Sequence, residues 1–191
     1  ILTALAQARA DSIPMLIISS VNPYDNKRKL SGLLHELPNQ QKLLKKIAIS
    51  SFTVKKTKDL LPAIKKSFLK MLEERPGPVH LEIPTNVLNY EYLKLKKNNL
   101  CIKKKKIKSS EKKINEVSNY LTNAKYPVLL LGGGARGCDE YILKIVEKLS
   151  PYVITTINAR GILGDHSMCI PASPTLKTVR KELKKADVVL A

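Results

Sequence analysis

The sequence predicts an α/β protein made of two doubly wound parallel-sheet units. Three observations carry this. Short apolar runs bounded by proline or glycine alternate with longer segments whose apolar residues recur every three or four positions. The apolar runs are near-continuous, as in strands covered by helices on both faces. One lysine-rich stretch, with ten Lys and two Glu in residues 91–113, interrupts the alternation and reads as a linker between two packed units.

The elements follow in order. Residues 1–11 (ILTALAQARAD) are strong helix formers, and Pro14 stops them. Met15–Ser19 is a continuous apolar run and reads as a parallel strand buried on both faces. Residues 22–31 are polar and turn-rich, an exposed loop, followed by LLHELPNQQ at 33–41. Residues 42–54 alternate weakly and end near Phe52 and Val54. Leu60, Leu61, Ile64, Phe68, Met71 and Leu72 define an amphipathic helix over 57–74, with Asp59 in its first turn and Pro62 near its start.

Residues 73–88, EERPGPVHLEIPTNVL, form a helix end, a turn, a strand and a stop. The residue before a proline is pushed out of the α region, so Arg75-Pro76 ends the helix. Gly77 supplies a turn conformation other residues avoid. Val79, Leu81 and Ile83 point one way with His80 and Glu82 between them, and Pro84 ends the strand. Beyond the lysine-rich stretch the prediction is helix 112–124, strand 127–131, helix 139–149, strand 153–157, helix 176–185 and strand 187–190.

Composition narrows the function classes. Hydrophobic residues make up 43%, enough for a core, and no run approaches the ~18 apolar residues of a membrane span. Cys101, Cys138 and Cys169 lack any CxxC spacing, which argues against zinc or a disulfide framework and for a reducing cytoplasm. A net charge of +18 raises nucleic-acid binding, but only six of the 34 basic residues are Arg, and there is no Trp. No nucleic-acid or membrane partner is expected.

Four motifs resemble thiamine diphosphate enzymes of the acetolactate synthase and 2-oxo acid decarboxylase kind. RPGPVHLEIPTNVL is similar to the segment closing their pyrimidine-binding domain, with Asn86 where Asp is usual. ARADSIPMLIIS (8–19) resembles their helix-to-strand junction, AKYPVLLLGGG (124–134) the opening of their central domain, and TTINARGILGDH (155–166) a run within it. The resemblance implies two incomplete units. These are residues 1–88, the C-terminal part of the pyrimidine-binding domain; 89–112, the linker; and 113–191, the N-terminal part of a Rossmann-like central domain.

It also implies a ThDP- and Mg²⁺-dependent decarboxylase or carboligase, a transferase or lyase acting on a small 2-oxo acid, as a homodimer or homotetramer. The alternatives are a 5-guanidino-2-oxopentanoate decarboxylase-like enzyme, which the LHELPNQ string favours, and a non-catalytic nucleotide-binding module. The family's cofactor-activating Glu is expected upstream of this chain and its Mg²⁺-binding GDG…N motif downstream. Accordingly, no catalytic or metal-binding residue is named, and the fragment alone is expected to be inactive.

Two sets of site residues are expected. Leu34-His35-Glu36 stands where acetolactate synthases carry Phe-Gln-Glu, which makes His35 and Glu36 the substrate-cleft candidates; the plainer reading is a loop His and a capping Glu. Gly132, Gly133 and Gly134 follow a strand and precede a helix, where backbone amides can approach an anion. FAD or another adenine nucleotide is the implied ligand there, against a tight βα turn with no ligand. His80 reads as a packed strand residue, and His166 as a loop or capping residue.

Overall fold

The computed structural model describes residues 1–23, 32–72, 75–89 and 109–191. The chain divides into two compact units, residues 1–106 and 107–191. The division falls inside the predicted linker, of which residues 90–108 lie outside the described residues.

The first unit comprises α1 (Leu2–Ala10), β1 (Met15–Val21), α2 (Gln40–Ile47), β2 (Ser50–Thr53), α3 (Leu60–Met71), β3 (Pro78–Pro84) and the short α4 (Thr85–Leu88). Its three strands are parallel in the order β1-β3-β2. Helices cover both faces. Leu5 of α1 and Leu44 of α2 pack with Ile17 and Ala48 on one side. Leu60, Ala63 and Ile64 of α3 and Val87 of α4 pack with Leu81, Ile83 and Val54 on the other. Every residue of β3 is buried, as a central strand between two helical layers requires.

The second unit comprises α5 (Glu111–Asn123), β4 (Pro127–Leu131), α6 (Asp139–Leu149), β5 (Tyr152–Thr155), β6 (Cys169–Ile170), α7 (Lys177–Leu183) and β7 (Val188–Leu190). Its sheet is parallel in the order β6-β5-β4-β7. In chain order that is 3-2-1-4, the start of a Rossmann-type sheet. Leu129 and Val153 meet Ile142 and Val146 of α6 on one face, and Val128 and Ile154 meet Val179 of α7 on the other.

Four sequence expectations are corrected. β1 is an edge strand here, not a strand buried on both faces: Ile17 is buried, but Ile18 is 59% exposed. Residues 40–47 form a helix, where the sequence shows only weak alternation over 42–54. Its signal is the N-cap, where the Asn39 side chain accepts from the Lys42 amide at 2.8 Å. The helix ahead of Arg75 stops at Met71, and α4 follows Pro84 unforeseen.

Gly77 does not occupy the left-handed region. It is needed for close approach, because a Cβ there would stand 2.8 Å from Ile49 Cγ2. The turn leading into α2's strand partner thus presses on the entry to β3. We expect Gly77→Ala to destabilise the protein by about 1–3 kcal/mol through overpacking. In an Ile49→Ala background the same change should cost less than half as much, measured by urea unfolding.

The loop end of α6 carries a second local constraint. Ser150 sits at φ 47°, ψ 42°, with its amide on the Val146 carbonyl at 2.8 Å. That is a left-handed helix cap, which glycine occupies more cheaply. Ser150→Gly is expected to raise stability by about 0.5 kcal/mol, the relief of strain exceeding the added chain entropy; an unchanged or lowered melting temperature would contradict this.

Candidate functional site

In open parallel sheets, ligands bind beyond the carboxyl ends of the strands, where the connecting loops emerge. Each unit presents such an end.

In the first unit the loop after β1 returns across the strand ends. The Asn22 side-chain amide donates to the Leu34 carbonyl at 3.2 Å, and Gln40 Nε2 donates to the Ser20 carbonyl at 3.1 Å. These two contacts seat residues 33–39 at the carboxyl end of β1. His35 is exposed there, and Glu36 is partly buried. The Glu36 amide closes a turn on the Leu33 carbonyl at 3.0 Å, while Glu36 Oε2 accepts from the Leu33 amide at 3.1 Å. His35 holds φ 58°, the third position of this turn, where glycine or asparagine is usual. A histidine kept in a strained position on a loop is a functional hint independent of any sequence pattern. Glu36 therefore closes its own loop turn and caps no helix, the N-cap of α2 being Asn39.

Beneath this loop lies a polar layer that the sequence reading missed. His80 and Glu82 face the α1–α2 side of β3, and both are fully buried. The Ser19 hydroxyl lies 2.7 Å from His80 Nε2, and the Ser51 hydroxyl 2.8 Å from Nδ1. Glu82 accepts from Thr53 Oγ1 at 3.1 Å and from Gln40 Nε2 at 3.2 Å. Gln40 also donates to Ser19 Oγ at 3.0 Å. The Ser19–His80–Ser51 array has the outline of a hydrolytic relay, but its chemistry is wrong for one. Burial pushes the imidazole down to about 4, so it is a poor base near neutral pH. His80 is the packed strand residue expected, held neutral between two hydroxyls that can each donate or accept.

The pH dependence follows from that downward shift. The unfolded chain takes up the His80 proton as pH falls below about 6.5, whereas the folded chain resists until about 4. The contribution to stability is therefore complete above pH 6.5 and lost progressively between 6.5 and 4, by at most ~1.4 kcal/mol per pH unit. Urea unfolding at pH 7 and pH 4.5 should show this decrement in the wild-type protein. In His80→Gln, less stable at both pH values, that part of the pH dependence should be absent.

In the second unit the glycine run occupies the turn after β4. Gly133–Ala135 forms a single 3₁₀ turn, Gly137 follows at φ 80°, and α6 begins at Asp139. The turn after β5, Ile157–Ala159, lies against it: a Cβ on Gly133 would stand 3.2 Å from Asn158 Cβ. The Thr156 amide reaches the Leu131 carbonyl at 2.9 Å. Two motifs some twenty residues apart in sequence thus meet at one sheet end. Gly132 and Gly134 face open space, so nothing in the chain itself excludes a side chain there. That suits backbone approach by a ligand, and Arg136 is exposed beside it. The first turn of α6 suits it less, because Asp139 and Glu140 both lie there and repel an anion. A nucleotide phosphate therefore fits the backbone of the turn and Arg136 better than the helix end.

Other features lie elsewhere. An open cleft lined by Glu116, Tyr120, Asn123 and Asp187 stands at the amino ends of β4 and β7, away from the glycine turn. There the Asp187 carboxylate accepts from the Lys125 amide at 2.7 Å and the Tyr126 amide at 3.0 Å. The Lys125 contact is the main cause holding it below its usual range. His166 Nδ1 accepts from the Met168 amide at 3.2 Å within a turn ahead of β6, so His166 is a loop residue and caps no helix. Among the described residues, no group of three or more His, Cys, Asp or Glu could hold a metal, and no helix is long and apolar enough to cross a membrane. Cys138 and Cys169 are free, with burial pushing the Cys169 thiol up; Cys101 lies outside the described residues.

Comparison with known proteins agrees with this architecture. Residues 114–191 match the family model of the thiamine pyrophosphate enzyme central domain. The chain is 30% identical over 190 residues to a probable 2-ketoarginine decarboxylase of Pseudomonas aeruginosa, covering 99% of this chain and 34% of that protein. It is 28% identical over 175 residues to the acetolactate synthase large subunit of Haemophilus influenzae, covering 84% of this chain and 28% of that one. Oxalyl-CoA decarboxylase of Escherichia coli is 28% identical over 196 residues, covering 99% and 34%. In fold, it is similar to a structure described as a candidate thiamin diphosphate-dependent enzyme from Mycobacterium smegmatis. That match has a TM-score of 0.77 and 18% identity, over 98% of this chain and 37% of the other. The chain spans about a third of the length of the curated relatives it matches. Residues 114–191 thus match the central domain of the thiamine pyrophosphate enzymes, and nearly the whole chain is similar in sequence to a probable 2-ketoarginine decarboxylase and in fold to a structure described as a candidate thiamin diphosphate-dependent enzyme.

Proposed function

We propose that this chain is part of a ThDP- and Mg²⁺-dependent 2-oxo acid decarboxylase or carboligase of the acetolactate synthase-like kind. The observation that carries the reading is similarity over nearly the whole chain to enzymes named for decarboxylation or acetolactate synthesis. In this reading, residues 1–88 are the C-terminal part of the pyrimidine-binding domain, 89–112 the linker, and 113–191 the N-terminal part of the central domain. The protein works in the cytoplasm as a homodimer or homotetramer.

When bound, thiamine diphosphate supplies a nucleophilic carbon and an electron sink for the carboxylate-bearing substrate. With no metal-binding cluster among the described residues, no magnesium contact is assigned to them. The chain's own contribution is to orient substrate and shape the cleft. His35 and Glu36 face the substrate, the imidazole as a switchable donor or acceptor and the carboxylate as an acceptor. The glycine turn at 132–134 holds an adenine nucleotide such as FAD.

A second reading is a decarboxylase of 5-guanidino-2-oxopentanoate. It is favoured by the LHELPNQ string and by the 30% identical relative named for 2-ketoarginine. A carboxylate at Glu36 suits a guanidinium-bearing substrate, which forms paired charge-assisted hydrogen bonds.

The test is carbon dioxide release by the full-length protein with ThDP and Mg²⁺, comparing pyruvate with the guanidino 2-oxo acid. Turnover of neither would overturn both readings. The 191-residue chain alone should turn over neither. His35→Gln should shift the ratio of kcat/KM between the two substrates by about 1–3 kcal/mol in relative transition-state binding. An unchanged ratio and pH profile would make His35 a loop residue only.

A further inference from the structure

We propose that Gln40 is a positioning residue that clamps the His35–Glu36 loop onto the carboxyl end of the first unit's sheet. One side-chain nitrogen, Nε2, shares its two hydrogens among three acceptors on two strands: Ser19 Oγ at 3.0 Å, the Ser20 carbonyl at 3.1 Å and Glu82 Oε2 at 3.2 Å. Gln40 is the first residue of α2, so whatever fixes its side chain fixes the point where the loop ends. The other end is held by the Asn22 amide on the Leu34 carbonyl at 3.2 Å. Residues 33–39 therefore hang between two tethers.

The anchor is stiff because it is buried. Glu82 is fully buried, and its other oxygen accepts from Thr53 Oγ1, away from Gln40. Ser19 is steadied by His80, which Ser51 holds in turn. A buried polar network of this kind is costly to leave half-satisfied, so Gln40 has no equally good alternative position. The left-handed His35 is the other half of the argument: a strained residue persists only where its surroundings over-determine it. Gln40 touches no reacting atom in this account. It acts through the loop and sets where His35 and Glu36 stand. This role in substrate choice rests on the reading of those two residues given above; the clamp itself does not.

The experiment compares Gln40→Met, similar in size and without the amide, with Thr53→Val, which removes a hydrogen bond to the opposite oxygen of Glu82 and leaves the Gln40 and Asn22 contacts in place. The first readout is thermolysin nicking within residues 32–38 of the full-length protein, followed by mass spectrometry. Gln40→Met should speed nicking there by about five- to tenfold, as loss of local hydrogen bonds raises the open population. Thr53→Val should not. The second readout is the kcat/KM ratio between a guanidino and a short apolar 2-oxo acid, split into kcat and KM. Gln40→Met should shift the ratio in the same direction as His35→Gln, and Thr53→Val should leave it unchanged. If Gln40→Met does not fold, Asn22→Ala cuts the second tether and carries the same two readouts. Unchanged nicking, or equal acceleration by Thr53→Val, overturns the clamp. Faster nicking with an unchanged ratio upholds the clamp and overturns the assignment of the loop to the substrate.

Discussion

The first unit depends on one arrangement: a central strand that is buried on both faces and polar on one of them. β3 sends Val79, Leu81 and Ile83 into an apolar layer and His80 and Glu82 into the other. Burying an imidazole and a carboxylate side by side is unfavourable unless each lone pair and proton finds a partner. The partners come from every neighbouring element. Ser19 is on β1, Ser51 and Thr53 on β2, and Gln40 on α2. No buried side-chain nitrogen or oxygen among the described residues is left without a partner. The network therefore specifies as well as stabilises. Sliding β1 or β2 by one residue against β3 would turn the serines to the wrong face and strand both buried groups.

That constraint explains what was legible in the sequence and what was not. Strands 127–131 and helix 139–149 have the predicted bounds, because a short proline-led apolar run and a clean amphipathic period leave little choice. The helix α2 escaped notice because it is short and lysine-heavy, and its only strong signal is the cap at Asn39. Burial of β1 was overread for a different reason: an apolar run reports what a strand can bury, not whether a neighbour lies beside it. Gly77 was assigned to a turn conformation, whereas its requirement is steric and comes from Ile49, 28 positions away in sequence.

The site was legible only in outline. The LHEL string and the glycine run were visible as motifs, and each stands on a loop at the carboxyl end of its sheet. The residues that hold them were invisible. Gln40 and Asn22 are ordinary polar residues until β1 and β3 bring their acceptors within reach. Asn158 becomes a neighbour of Gly133 only through the parallel pairing of β4 with β5. Hydrogen bonds across a sheet are set by register, and register is a property of the assembled strands. His80 and Glu82 were correctly placed on one face, but alternation alone suggested an ordinary polar side, not a sealed one.

The strand order of the second unit has an evolutionary consequence. β4 is flanked by β5 on one side and β7 on the other, so the sheet's connections part company at its carboxyl end. The glycine turn there touches Asn158 through a single close approach and otherwise faces open space. Ala135 at the end of the turn packs on the Leu129–Val153 layer, whereas Gly132 and Gly134 do not constrain it by side-chain contact. Substitutions at Gly132 or Gly134 could therefore alter the shape and charge of that turn while the scaffold stays intact. Descent with the same architecture and a shifting set of small-molecule dependencies is what such modularity permits.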